Sequence, residues 1–162
     1  MSKDTVSDHV TSCSPCDAGT HAFFDADGVD KCTACIPGRF SSASAPSCTK
    51  CRAGRISDSG AASCTECASG KYDNGSNACT DCEAGKYGPG TGFVKCVDCP
   101  YGQSTNGALG QTACEQCASG TIAPYAGTPS CTACAVGSIE VDNIVCEPCG
   151  EGRVSKCSSA AR

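Results

Sequence analysis

Large apolar side chains are sparse along this chain and return on a long beat. Phe40, Ile56, Tyr72, Tyr87, Ile122, Ile139 and Val154 each stand two residues after a glycine, with polar, Gly-rich stretches between them. His21 and Ser104 fill the same place in two further stretches. No window sustains a 3.6-residue apolar period, so almost no helix is expected. Each stretch has room for one or two short strands and a turn. Gly38-Arg39-Phe40, Gly70-Lys71-Tyr72 and Gly120-Thr121-Ile122 read as extended, and Asn74-Gly75 and Asn106-Gly107 are hairpin-turn signals.

Cysteine keeps the same beat. C-x-x-C occurs nine times, at Cys13/Cys16, Cys32/Cys35, Cys48/Cys51, Cys64/Cys67, Cys79/Cys82, Cys96/Cys99, Cys114/Cys117, Cys131/Cys134 and Cys146/Cys149. Successive motifs start 19, 16, 16, 15, 17, 18, 17 and 15 residues apart, and Cys157 follows the last. A glycine lies three residues after every second Cys: Gly19, Gly38, Gly54, Gly70, Gly85, Gly102, Gly120, Gly137 and Gly152. Such a column implies a backbone demand, either φ > 0 or close approach of another strand. A second glycine often lies four residues before the next motif, at Gly28, Gly60, Gly75, Gly92, Gly110 and Gly127; Ser44 and Asp142 break that pattern. The expected organisation is a polar, disordered segment 1–12, nine tandem repeats over 13–157 and a tail 158–162. Self-similarity at this period is the mark of a quasi-one-dimensional array in which each repeat touches only its neighbours.

Composition says what holds such an array together. The 162 residues include 19 Cys and 19 Gly but no Trp, one Met, four Phe and four Tyr, and Leu109 is the only leucine. A chain of this length normally buries about two-thirds of its unfolded surface around one core. This composition cannot fill one, so disulfides or metal must substitute. Closing a loop of about 15 residues removes roughly 3 kcal/mol of unfolded-state entropy. One buried Tyr or Ile returns only about 1.5–3 kcal/mol, against about 1–2 kcal/mol for each residue ordered.

Nineteen cysteines is an odd number. Pairing the second Cys of each motif with the first of the next gives a ladder: Cys16–Cys32, Cys35–Cys48, Cys51–Cys64, Cys67–Cys79, Cys82–Cys96, Cys99–Cys114, Cys117–Cys131, Cys134–Cys146 and Cys149–Cys157. Cys13 is left unpaired, with an upstream repeat as its expected partner. The competing pattern joins whole motifs, as in Cys13–Cys32 with Cys16–Cys35, and leaves one motif over. Spacing alone does not choose between them. Zinc is the third reading, because repeated C-x-x-C overlaps the spacing of four-cysteine zinc sites. Nine knuckles do not divide into two-knuckle sites, however, and the intervals do not alternate between ligand loop and linker.

Charge removes other classes. The net charge is −5, from 12 basic and 17 acidic residues. An acidic chain gains nothing from phosphate neutralisation, so no nucleic-acid partner is expected. The one basic stretch, Arg39, Lys50, Arg52 and Arg55, reads as a solvated face or as a contact for an acidic glycan. Residues 1–10 are polar and do not read as a signal peptide. No apolar run approaches the ~20 residues of a membrane helix. The expectation is therefore a chain continuous with further repeats in a longer protein.

Catalytic chemistry is thin. Thioredoxin-like redox use of C-x-x-C needs a thiolate at a helix N-terminus, and no helical pattern follows any of the nine motifs. His9 and His21 are the only histidines. His9 lies near Cys13, a pairing read as incidental. Asp25-Ala-Asp27-Gly28-Val29-Asp30 begins like a calcium loop, but Val29 and Ile36 stand where ligands belong. No enzyme activity, cofactor or metal is expected. Asn74-Gly75-Ser76 is the one N-glycosylation sequon.

The motif C-x-x-C-x-x-G-x-[YF]-S, as in Cys35-Ile36-Pro37-Gly38-Arg39-Phe40-Ser41, resembles the ephrin-receptor-like cysteine-rich repeat, which is similar in style to tumour-necrosis-factor-receptor modules. The resemblance runs from Cys13 to Cys157 and extends to arrays in protist and algal surface proteins. It implies a small disulfide-rich fold, an elongated tandem array of cysteine-stapled β-hairpin modules. It also implies extracellular or cell-surface display, adhesion or binding of a protein or glycan ligand. A binding module predicts exposed aromatic or charged side chains, with Tyr87, Phe93, Tyr101 and Tyr125 as candidates. A structural coat or spacer predicts a bland Ser/Thr/Ala surface, and an intracellular multi-zinc protein predicts free thiols and metal.

Overall fold

The computed structural model describes residues 15–24 and 30–150. Among them there is no helix, and every strand belongs to a two-stranded antiparallel hairpin. In chain order the hairpins are β1 (Thr20–Phe24) with β2 (Asp30–Ala34), β3 (Arg39–Phe40) with β4 (Thr49–Lys50), and β5 (Arg55–Ile56) with β6 (Thr65–Glu66). Then come β7 (Lys71–Asp73) with β8 (Cys79–Asp81), β9 (Lys86–Tyr87) with β10 (Val97–Asp98), and β11 (Gln103–Ser104) with β12 (Glu115–Gln116). The last are β13 (Thr121–Ile122) with β14 (Thr132–Ala133), and β15 (Ser138–Val141) with β16 (Val145–Pro148). Two-residue strands are far too short to stand alone in water, so each hairpin needs help from outside its own ladder.

Each hairpin opens with a turn. The N–H one residue past the repeat glycine donates to the carbonyl three residues back in all eight described repeats, from Thr20 to Asp17 O through Ser138 to Ala135 O, at 3.0–3.2 Å. The glycine is the third residue of that turn, and its φ runs from +73° at Gly102 to +87° at Gly19. This is the type II geometry that requires φ > 0 at the third position and favours Pro at the second, where Pro37 stands. In seven of the eight repeats the glycine carbonyl then accepts from the N–H of the Cys that follows the hairpin, as in Cys99 to Gly85 at 2.8 Å.

The chain divides into two compact units, Met1–Lys50 with Ser57–Ser63, and Cys51–Ile56 with Cys64–Arg162. Inside the first, Gly60 N–H donates to Cys35 O and Ser44 N–H to Cys16 O, both at 2.8 Å. Inside the second, Gly92 donates to Cys67 O, Gly110 to Cys82 O and Gly127 to Cys99 O, at 2.8–2.9 Å. The second glycine of a repeat thus caps the opening cysteine of the repeat before it. Ser44, at φ 62°, and Asp142, at φ 54°, hold the left-handed backbone where the sequence lacks that glycine.

The expectation that a repeat touches only its neighbours does not hold. A Cβ placed on Gly19 would overlap the carbonyl of Gly60, two repeats on, within the first unit. In the second, Gly54 meets Gly92, Gly70 meets Gly110 and Gly85 meets Gly127 in the same way. The two glycine columns of the sequence are the two sides of one backbone contact. Its physical origin is the shortness of the hairpins: a turn reaches past the next two-strand layer to the one beyond.

Sulfur fills the interior. The buried apolar residues are Cys16, Cys35, Cys51, Cys67, Cys82, Cys96, Cys99, Cys117 and Ala123. Phe40, Ile56, Tyr72, Tyr87, Ile122 and Ile139 are only half-buried. The covalent bridges occupy the place that leucine and phenylalanine hold in an ordinary domain.

Candidate functional site

The functional surface of an array lies on what its scaffold leaves outside, and here the scaffold is cystine. Eight disulfides run from the second Cys of one motif to the first of the next: Cys16–Cys32, Cys35–Cys48, Cys51–Cys64, Cys67–Cys79, Cys82–Cys96, Cys99–Cys114, Cys117–Cys131 and Cys134–Cys146. Each closes a loop of 12–16 residues around its own hairpin, with Cα–Cα separations of 5.4–5.8 Å. Cys149 is also disulfide-bonded. Cys13, Cys157, His9, Gly28, Gly152, Val154 and the Asp25–Val29 part of the acidic loop lie outside the described residues.

One column showed in the sequence only as the serine that ends the repeat motif, Ser41. The N–H of the repeat glycine donates to the residue three places past the next repeat's glycine. The acceptors are Ser41 O for Gly19, Ser57 O for Gly38, Gly88 O for Gly70 and Ala123 O for Gly102, at 2.8–3.0 Å. Two repeats use a side chain instead, Asp73 Oδ2 for Gly54 at 3.1 Å and Thr105 Oγ1 for Gly85 at 2.8 Å. Ser41 Oγ and Ser57 Oγ donate back to Thr20 O and Arg39 O, at 2.8 and 2.9 Å. The column reads Ser41, Ser57, Asp73, Gly88, Thr105, Ala123: small residues where a bulky one would block the contact. That run of small side chains is the signal that was available.

The two repeats without an apolar residue after the glycine share a feature. His21 Nδ1 lies 3.1 Å from Cys48 Sγ, and Ser104 Oγ lies 3.2 Å from Cys131 Sγ. Both side chains therefore reach the disulfide of the following repeat. His21, Cys35 and Cys48 form the one cluster of metal-ligating types among the described residues, with ligand atoms within 4.8 Å. Cys35 and Cys48 are bonded to each other, and metal binding requires thiolates. The cluster as it stands is a histidine packed on a cystine.

Charged side chains line the outer face of the hairpins of the second unit. Directly opposed residues form ion pairs in three successive repeats: Arg55 with Glu66, Lys71 with Asp81 at 2.6 Å and Lys86 with Asp98 at 3.4 Å. Thr91 Oγ1 donates to Glu66 Oε2 at 2.6 Å. That hydroxyl, then the charge and hydrogen bond of Arg55, hold the Glu66 carboxyl below its ordinary range. In the first unit the equivalent cross-strand pair is Arg39 opposite Lys50. Like charges face each other there, and Arg39 Nη1 turns to Cys48 O at 3.0 Å.

Exposed apolar side chains concentrate between residues 94 and 136. Tyr101 is 59% exposed, Leu109 63%, Tyr125 74% and Val136 fully, with Val94 also exposed. Of the four candidates for a binding face, Tyr101 and Tyr125 are exposed while Tyr87 and Phe93 are half-buried. Tyr87 and Phe93 take part in isolated parallel bridges between repeats, to Gln111 and Tyr72 respectively. Sequence reasoning did not single out Leu109 or Val136 as exposed apolar positions; their isolation among Gly and Ala was the signal.

Residues 70–108, which span two of the three ion-paired hairpins and the start of this exposed stretch, match the family model described as tyrosine-protein kinase ephrin type A/B receptor-like. Over this stretch the chain is similar to the ephrin-receptor-like cysteine-rich repeat. The match covers 39 of the 162 residues. No curated protein matches the chain. The ephrin-receptor-like cysteine-rich repeat is a non-catalytic kind of domain. No helix of the described residues is long and apolar enough to cross a membrane.

Proposed function

We propose that this chain is a non-catalytic, extracellular or cell-surface array of nine cysteine-stapled repeats that binds a protein or glycan ligand. Eight disulfides and a sulfur-filled interior support an oxidising compartment. The ephrin-receptor-like match over 70–108 supports the same reading. The observation that favours binding over a bland spacer is the group Tyr101, Leu109, Tyr125 and Val136. A chain with so few large apolar residues leaves these outside, and aromatic side chains dominate binding energy at protein interfaces. We extend the ladder to Cys149–Cys157, and assign Asn74, on the exposed tip between β7 and β8, as a glycan acceptor.

The test uses the oxidised full chain, fluorescently labelled and titrated onto intact cells. Saturable binding that falls at least tenfold in the Tyr101→Ser/Leu109→Ser/Tyr125→Ser variant supports the reading. Unsaturable binding, equal in both proteins, leaves the spacer role. Full reactivity of the cysteines toward alkylation before reduction, in material that is still folded, sinks the extracellular assignment.

A further inference from the structure

The chain contains two Asn-Gly dipeptides, Asn74-Gly75 and Asn106-Gly107, which are alike as sequence. The fold treats them differently. At the β7–β8 tip Gly75 N–H donates to Asp73 Oδ1 at 2.9 Å. Asn74 Oδ1 accepts two hydrogen bonds from Ser76, from N–H at 2.9 Å and from Oγ at 2.6 Å. Asn74 Nδ2 donates to Thr80 Oγ1 at 2.9 Å. Asp73 is held from its other side, where Oδ2 accepts Gly54 N–H at 3.1 Å. Asn74, Gly75 and Ser76 are exposed, and nothing lies within 4 Å of the face where a Gly75 side chain would be.

We propose that Asn74 is a self-modification site, converted by its own neighbours through a cyclic imide. The parts of an acyl transfer are in place. Gly75 N is the nucleophile, unshielded because glycine has no Cβ. Asp73 is a base within hydrogen-bond reach of the proton that must leave. The two Ser76 donors point at the oxygen on which negative charge develops. Thr80 lies beside the departing amine. Gly75 N gives up its proton and bonds to Asn74 Cγ. The Cγ–Nδ2 bond breaks, and the amide leaves as ammonia after taking up a proton. Water then opens the five-membered imide at either carbonyl, giving aspartate or isoaspartate. The net change consumes one water and releases one ammonia; no electrons are transferred.

Asn106-Gly107 lacks this arrangement. Gly107 N–H is committed to Pro129 O of the next repeat at 2.9 Å. Asn106 Nδ2 is held by Glu115 Oε2 at 2.9 Å. No carboxylate faces the nitrogen that would attack. The consequence at Asn74 is a new negative charge and the loss of the sequon, so a glycan must be attached before the imide forms.

The experiment ages the oxidised full chain at neutral pH and maps its peptides, with isoaspartyl methyltransferase labelling as the second readout. Isoaspartate is expected at Asn74 and at least tenfold less at Asn106. Asp73→Asn is expected to slow Asn74 conversion on the order of a hundredfold, the low end of a general base's contribution. Thr80→Val, which leaves Gly54 its anchor, is expected to slow it less. Reduced and denatured chain, where the fold is gone, is expected to convert both sites alike. Equal rates at the two sites in the folded chain, or an Asp73→Asn variant as fast as the parent, would overturn the proposal.

Discussion

At Gly85, two demands meet on one atom. Its φ of +83° is disfavoured for a side chain, and its missing Cβ is where Gly127 O sits. Gly75 shares the same φ of +83° but faces open space. Gly75→Ala is therefore expected to lose only the left-handed penalty, about 1–2 kcal/mol. Gly85→Ala must also displace a backbone carbonyl two repeats away, and is expected to fail oxidative refolding or unfold at a markedly lower temperature. Thermal unfolding of the two variants side by side separates the terms. Glu66 gives a pH signature. Its folded carboxyl is held low by Thr91 and Arg55. A depressed acid stabilises the fold above its unfolded pKa, and that contribution is lost as pH falls through the folded value. Thr91→Val should flatten the acid limb of stability between those two values, with added salt shrinking the effect because the pair is exposed. His21 gives a redox one. Its ring nitrogen lies 3.1 Å from Cys48 Sγ, and a ring N–H aimed at sulfur stabilises the thiolate that reduction frees, so Cys35–Cys48 is expected to open in graded dithiol several-fold more readily than Cys117–Cys131, where Ser104 takes the place of histidine. Alkylation mapping reads the order, and His21→Phe should erase it.

The hairpin is the element that carries the fold, and it is held from three sides. The turn fixes its start, the disulfide closes its ends, and the second glycine of the following repeat caps its opening cysteine. Few of these bonds are local, and two-residue ladders contribute little alone. Replacing Cys82 and Cys96 by serine opens a loop of sequence separation 14 and is expected to cost about 3 kcal/mol. Hydrogen exchange should show the loss centred on β9 and β10 and on the partners of their repeat, Gly70 and Gly110, and not confined to one hairpin. The hairpins themselves were legible. Glycine, the residue two places on and the Asn-Gly turns mark their positions, because a short strand next to a type II turn leaves a compositional trace. The small-residue column was legible only at Ser41, which ends the repeat motif, and not at Gly88 and Ala123. A small residue records that something approaches closely, without saying what.

For the whole molecule, sulfur replaces the greasy core, and that has a direct consequence. Reductant should abolish ordered structure, while a chelator should leave it intact; circular dichroism under each condition checks both. The lack of helix among the described residues, the chain of small hairpins and their need of a disulfide or metal staple follow from composition and period alone. Four Phe, four Tyr and one Leu cannot form an interior for 162 residues, and no arrangement of the chain alters that arithmetic. Which cysteine meets which, that a glycine turn touches the repeat after next, that Tyr87 packs while Tyr125 stands in solvent, and that one Asn-Gly faces a carboxylate while its twin faces a carbonyl were decided only by tertiary structure. Spacing fixes what a residue can reach along the chain; the glycine contacts, the packing of Tyr87 and the Gly107 bond to Pro129 lie between segments that meet only when successive hairpins stack.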